Sequence, residues 1–168
     1  MPDPEPLCAR CARHRTTCCQ TSEIYVTPGD VERIAVRVGR DDFYLDEAPA
    51  NADYLDQGDD PAWREYVFGP DGRRRVLRRE PGGNCIFLGP HGCTLPLEVR
   101  PLVCRLYPYL YNESGFLEGL DARCPVELLL PGEGLIEALG MSLEQARPWH
   151  HQLYREIRLE RRLLCTSG

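Results

Sequence analysis

The chain has no lysine: all 20 of its cationic side chains are arginine. That absence excludes Schiff-base chemistry and the general-base work a buried lysine performs. Positive charge is not in surplus either, since the formal net charge is −6. A generic nucleic-acid binder needs an excess of cations to neutralise phosphates, so no nucleic-acid partner is expected. No run approaches the roughly 20 apolar residues that cross a bilayer. The opening MPDPEPLCAR lacks both the basic n-region and the apolar h-region of a secretion signal. The expectation is therefore a cytoplasmic protein with no membrane partner. Also missing are a Ser/His/Asp arrangement, a phosphate-cradling glycine loop and a His-Glu-x-x-His helix, the common signatures of hydrolases and nucleotide enzymes.

What is there fits one compact domain. The chain has 168 residues, 42% of them hydrophobic and 27% charged, which is ordinary globular usage at an ordinary domain length. The unusual number is nine cysteines. In a reducing cytosol, thiols at this density favour metal thiolates or redox chemistry over structural disulfides.

The pattern along the chain predicts an α+β fold: a small irregular metal-stabilised domain with short hairpins and a helical C-terminal segment. Residues 1–7 are proline-rich and acidic and read as a flexible arm. Residues 8–125 form the cysteine-cluster metal-binding domain, and 126–168 a helical segment packed on the same domain. Glu23 to Val26 reads as a short strand, and Thr27-Pro28 as the N-cap and first position of a helix. Val31, Ile34, Ala35 and Val38 mark one face of that helix, and Gly39 stops it. Residues 46–62 show no period and read as a loop. Glu65 to Phe68 and Arg73 to Arg79 flank Gly69-Pro70-Asp71-Gly72, which predicts a β-hairpin. Its arginine block is expected as a solvated strand that discourages edge pairing. Leu97 to Leu106 includes a short helix, and a second hairpin is expected around Asn112-Glu113-Ser114-Gly115. Gly134 to Leu139 forms a helix ending at Gly140, and Ser142 with Gln145 starts a long one. Pro148 kinks that helix or resets its start. Leu143, Ala146, Trp149, Leu153, Ile157 and Leu164 form its apolar face, which packs on the metal-bearing part.

Cys8-x2-Cys11 is the spacing by which two thiolates from a tight turn reach one metal ion. Cys18-Cys19 follow six residues later, and Cys85, Cys93, Cys104 and Cys124 come after a cysteine-free span of 65 residues. Chance scatter would not produce two groups of four. Zinc and cubane iron-sulfur clusters both take four thiolates, so eight cysteines suit two four-ligand sites or one multinuclear site. Adjacent side chains on extended backbone point to opposite faces, so Cys18 and Cys19 need not serve the same ion. For each cysteine the alternative is a buried small hydrophobe. Cys165 stands apart as a free thiol. His91 and His14 lie close enough in sequence to ligate, whereas His150 and His151 read as surface or packing residues.

Cys8-x2-Cys11 with Cys18-Cys19, then Cys85-Ile86-Phe87-Leu88, Cys93 and the string Arg100-Pro101-Leu102-Val103-Cys104-Arg105-Leu106-Tyr107-Pro108, resemble the bacterial YkgJ-type cysteine cluster family, the CxxCxxCC or zinc- or iron-chelating domain. The match covers roughly residues 8–125, and its second half is the more specific. The resemblance implies a metal site built from Cys8, Cys11, Cys19, Cys85, Cys93 and Cys104, with Cys18 and Cys124 added. Two features depart from the family: six residues in place of two separate Cys11 from the vicinal pair, and Leu97 replaces an aromatic residue after Cys93. Some relatives, such as flagellin lysine methylases, carry this kind of cluster inside a larger enzyme.

Charge assigns a role to Arg100 and Arg105. Four thiolates and a divalent ion sum to −2, which nearby guanidinium groups would offset while donating hydrogen bonds to sulfur; the alternative is a surface ion pair. The expected function is metal binding, with zinc or iron, including an iron-sulfur cluster, in a structural or metal-handling role. The rival readings are an iron-sulfur enzyme or maturation factor, which needs an open coordination position and a pocket, and a thiol redox sensor acting through Cys18 and Cys19.

Overall fold

A computed structural model describes Leu7, Cys11 and residues 23–50, 60–90, 92–120 and 126–166, with the side chains of the last helix described as far as Leu159. Cys8, Cys18, Cys19, Cys124, His14 and His91 lie outside the described residues, as do 1–6 of the expected arm. Leu7, placed at the end of that arm by the sequence, is helical and fully buried. The coarse expectation of an α+β fold holds: among the described residues, helices alternate with three two-stranded antiparallel sheets. Among the described residues no helix is long and apolar enough to cross a membrane.

Helix α1 (Pro28–Val38) starts where the sequence places it. Thr27 accepts from the Asp30 amide at 2.9 Å and Asp30 returns the bond to the Thr27 amide at 3.0 Å, a complete capping box. Gly39 closes the helix in the left-handed conformation, φ 72°, where a side chain would be strained. Ile24, Val26 and Tyr25 precede it as a short extended run, Tyr25 bridging to Val76. Alternation along this run sends Ile24 and Val26 into one core and Tyr25 into the other.

Strand β1 (Tyr44–Glu47) pairs antiparallel with β2 (Arg74–Leu77), Leu45 opposite Val76. This corrects two expectations. Residues 46 and 47 belong to a strand, and β2 takes its partner from before the 51–59 segment rather than from Glu65 to Phe68. The latter lies instead around α2 (Pro61–Val67), capped by Asp60 with Pro61 at the first helical position. An N-cap aspartate before proline outweighs the β-propensity of the tyrosine and valine that follow. The Gly69 to Gly72 turn does form, with the Gly72 amide on the Gly69 carbonyl at 3.0 Å. Arg74 is not a solvated strand residue: it is 4% exposed, bonded to Glu23 at 2.7 Å and set over the Phe68 ring.

β3 (Leu88–Gly89) and β4 (Gly92–Cys93) make a minimal hairpin. A five-residue helix, α3 (Leu102–Leu106), leads into the expected second hairpin, β5 (Tyr109–Asn112) with β6 (Gly115–Leu120). A 3-10 turn (Val126–Leu128) and α4 (Leu135–Ala138) precede α5 (Leu143–Thr166), which runs through Pro148 as one helix. Ala146, Leu153 and Ile157 are fully buried, whereas Leu143 is exposed. This stripe of α5 packs on α3, α2 and α1.

Two cores result. One joins Tyr25, Ala62, Val67, Leu102, Leu106, Ala146, Leu153, Tyr154 and Ile157; the other joins Ile24, Val26, Ile34, Phe43, Leu77, Cys85, Phe87 and Leu95. α3 stands between them. Leu102 and Leu106, four apart, face the helical core, while Val103 touches both and Cys104 packs on the second. Each fully buried leucine or isoleucine here contributes roughly 1.5–3 kcal/mol.

Candidate functional site

Cys85, Cys93 and Cys104 come from three separate pieces of chain and meet at one core. Cys85 follows a turn in which the Glu80 amide bonds to the Asn84 carbonyl at 2.8 Å, and it pairs with Arg79 across an isolated bridge. Cys93 sits on β4 opposite Leu88. The next residue, Thr94, fastens this hairpin by giving both its amide and its hydroxyl to the Phe87 carbonyl, at 2.8 and 2.9 Å. Cys104 lies in the first turn of α3. Cys85 is buried within the second core, and Cys93 and Cys104 are half-buried against it. Cys11, far earlier in the chain, is helical and 7% exposed.

The placement of Cys104 depends on a buried charge cluster that sequence patterning did not single out. The Asp30 carboxylate, fully buried, accepts from the Leu102 amide at 3.2 Å and so caps α3, and it also holds Arg33 at 2.7 Å. Arg33 reaches across to Glu156 of α5, at 2.9 and 3.0 Å. Glu156 further accepts from the Thr27 hydroxyl and, at 2.8 Å, from Gln152. Burial pushes Asp30 above the ordinary carboxylate range, against the pull of Thr27 and Arg33. Glu156 goes the other way: burial raises it, but the bonds from Arg33, Thr27 and Gln152 outweigh burial and hold it low. The Thr27-x-x-Asp30 capping box was the legible half of this cluster; Glu156, more than a hundred residues away, carried no signal.

Arg100 and Arg105 brace the segment between Cys93 and Cys104. Arg100 Nε donates to the Leu95 carbonyl at 2.9 Å. Arg105 donates to the carbonyls of Arg100 and Glu98, at 2.8 and 2.7 Å, and its guanidinium lies 5.6 Å from the Trp149 ring centroid. At 5% exposure Arg105 is not a surface ion pair. Burial lowers its pKa, and Arg33 adds to the effect. His150 is a packing residue: its Nε2 lies 2.7 Å from the Asn112 carbonyl, and its ring meets Tyr111, Phe116 and Tyr154.

Three thiol side chains from distant segments share the second core. Among the described residues no three His, Cys, Asp or Glu side chains form a group that could hold a metal ion. The structure thus brings three of the eight expected ligands to one core without a coordination geometry; Cys11 is buried, and the other four fall outside the described residues. Cys165 lies in the last turn of α5. No family model matches the chain, and no curated protein or solved structure matches it either.

Proposed function

We propose that this is a metal-binding protein of the YkgJ-type cysteine cluster kind, holding zinc or an iron-sulfur cluster in a structural or metal-handling role. Its ligands are drawn from Cys8, Cys11, Cys18, Cys19, Cys85, Cys93, Cys104 and Cys124. The observation that carries this reading is the approach of Cys85, Cys93 and Cys104 to one core from three elements. Any one of these cysteines could serve as a small buried hydrophobe, but three from distant segments at one core favour ligation. The segment that bears them supports the same view. Among the described residues between Arg79 and Leu106 the regular structure is two residues in each of β3 and β4 and the short α3, and chain of this kind gains folding free energy from metal ligation. Arg100 and Arg105 fix its path and supply positive charge beside a site whose thiolates carry negative charge.

Anaerobic purification followed by metal and sulfide analysis and an absorption spectrum tests the reading. Brown protein with iron and acid-labile sulfide, or colourless protein with one or two zinc ions, is the expected outcome. Cys85→Ser, Cys93→Ser and Cys104→Ser should each lose metal, and Cys165→Ser should keep it. Metal-free protein after reconstitution, or equal loss from Cys165→Ser and Cys104→Ser, refutes the assignment.

A further inference from the structure

A cleft of about 270 Å³ opens beside the first core, lined in part by Val103, which touches both cores. Five aromatic residues line it, and apart from Tyr109 the other four stand edge to face in a continuous chain. Tyr25 meets Trp63 at 5.4 Å and 69°, Trp63 meets Tyr154 at 6.5 Å and 66°, and Tyr154 meets Tyr111 at 6.4 Å and 89°. In such a chain the electropositive edge of one ring meets the electronegative face of the next, and several ring faces are gathered around one space.

The charges in the same walls are unequal. Glu23 and Arg74 both line the cleft and neutralise one another at 2.7 Å. Asp60 lines it as well, at 4% exposure. Its partners are neutral: the Trp63 amide at 3.4 Å and the Tyr154 hydroxyl. Among the described residues no cation pairs with it. Burial and the Asp60 charge together keep Tyr154 protonated far above the usual tyrosine range, so the phenol remains a donor to the carboxylate. A sequestered carboxylate with no counter-ion among the described residues, walled by aromatic rings, is the recognition chemistry of an alkylated ammonium ion. The volume lies just below the range of about 300–1,000 Å³ that holds drug-sized ligands, which restricts the occupant to a small molecule or a side-chain-sized group.

We propose that this cleft binds a small alkylated ammonium ion, with Tyr25, Trp63, Tyr111 and Tyr154 enclosing the alkyl groups and Asp60 supplying the opposing charge. The site stands whether or not the cysteines hold metal.

Calorimetric titration of the full chain at fixed ionic strength with choline, and with its neutral isostere 3,3-dimethylbutan-1-ol, separates charge recognition from simple apolar filling. Choline should bind saturably with one site and at least about tenfold more tightly than the isostere. Asp60→Asn should erase that preference while preserving the fold. Asparagine is as good an N-cap as aspartate for α2, and its amide can donate to the Tyr154 oxygen. Equal binding of the two probes, no saturable choline binding in the millimolar range, or an undiminished preference in Asp60→Asn overturns the proposal. Should Asp60→Asn fail to fold, wild-type amide spectra decide. Choline must shift the Trp63 indole N–H and the Leu110 and Tyr111 amides and leave the Trp149 indole in place; shifts centred elsewhere overturn the proposal.

Discussion

Replacing Gly29 by alanine should destabilise this protein, although the same change in most helices stabilises. Gly29 is the second residue of α1, and exchanging a helical glycine for alanine ordinarily gains up to about 1 kcal/mol. Here a methyl group at position 29 would lie 2.2 Å from Glu156 Oε1 and 2.5 Å from its Cδ, where ordinary contact begins at 3.4 Å. The carboxylate would have to retreat by about 1 Å. It is not free to do so, because Arg33, Thr27 and Gln152 all donate to it. Stretching or losing two of those bonds, at roughly 1.5–3 kcal/mol for each charged one, outweighs the propensity gain. Gly29→Ala should therefore cost about 2–4 kcal/mol. In a Glu156→Ala background, itself destabilised by about 3–5 kcal/mol, the obstacle is gone and Gly29→Ala should be neutral or stabilising by up to about 1 kcal/mol. Urea denaturation of the four proteins measures the coupling, expected at about 2 kcal/mol or more. A stabilised single variant, or additive effects, would refute the packing of α1 on α5 through this carboxylate.

Tyr154 has a folded-state pKa above its unfolded value of about 10, so its contribution is fully present below about pH 10 and is lost as pH rises beyond it, at about 1.4 kcal/mol per pH unit. Urea denaturation across that window should show the wild type falling more steeply than Tyr154→Phe by this slope; parallel curves would mean that the phenol titrates in the folded protein. Arg105→Gln removes two carbonyl bonds and the Trp149 contact, and should lose about 3 kcal/mol. Arg105→Lys should not restore it, because an ammonium group cannot span both carbonyls and stack on a ring. A change in urea midpoint worth less than about 0.5 kcal/mol would dismiss the brace. On the metal reading, Arg105→Gln should also release metal faster to a chromogenic chelator at fixed pH and salt, and equal release would confine Arg105 to bracing the fold.

Local chemistry was legible where it acts over three or four residues. The capping box at Thr27 and Asp30, the stop at Gly39, the Asn112 to Gly115 hairpin and the Ser142 start of α5 were all written in adjacent side chains, because caps and turns are closed by neighbours. The clustering of the cysteines along the chain was equally plain; of these, Cys85, Cys93 and Cys104 share the second core, without a group among the described residues that could hold a metal ion. The hairpin expected at Glu65 to Phe68 failed because β2 had two candidate partners. The nearer one was claimed by a helix that Asp60 and Pro61 start. Pairing between strands depends on what else each segment can bury, and no local pattern contains that. Of the buried ion network only the Thr27–Asp30 capping box was legible in the sequence, and the aromatic cleft was not legible at all. Asp30 and Glu156, like Asp60 and Tyr154, are ordinary polar residues on helices, or at their caps, until packing removes water from around them. Only the docking of α5 over α1, α2 and α3 brings these groups together, since desolvation and long-range contact are properties of the assembled fold.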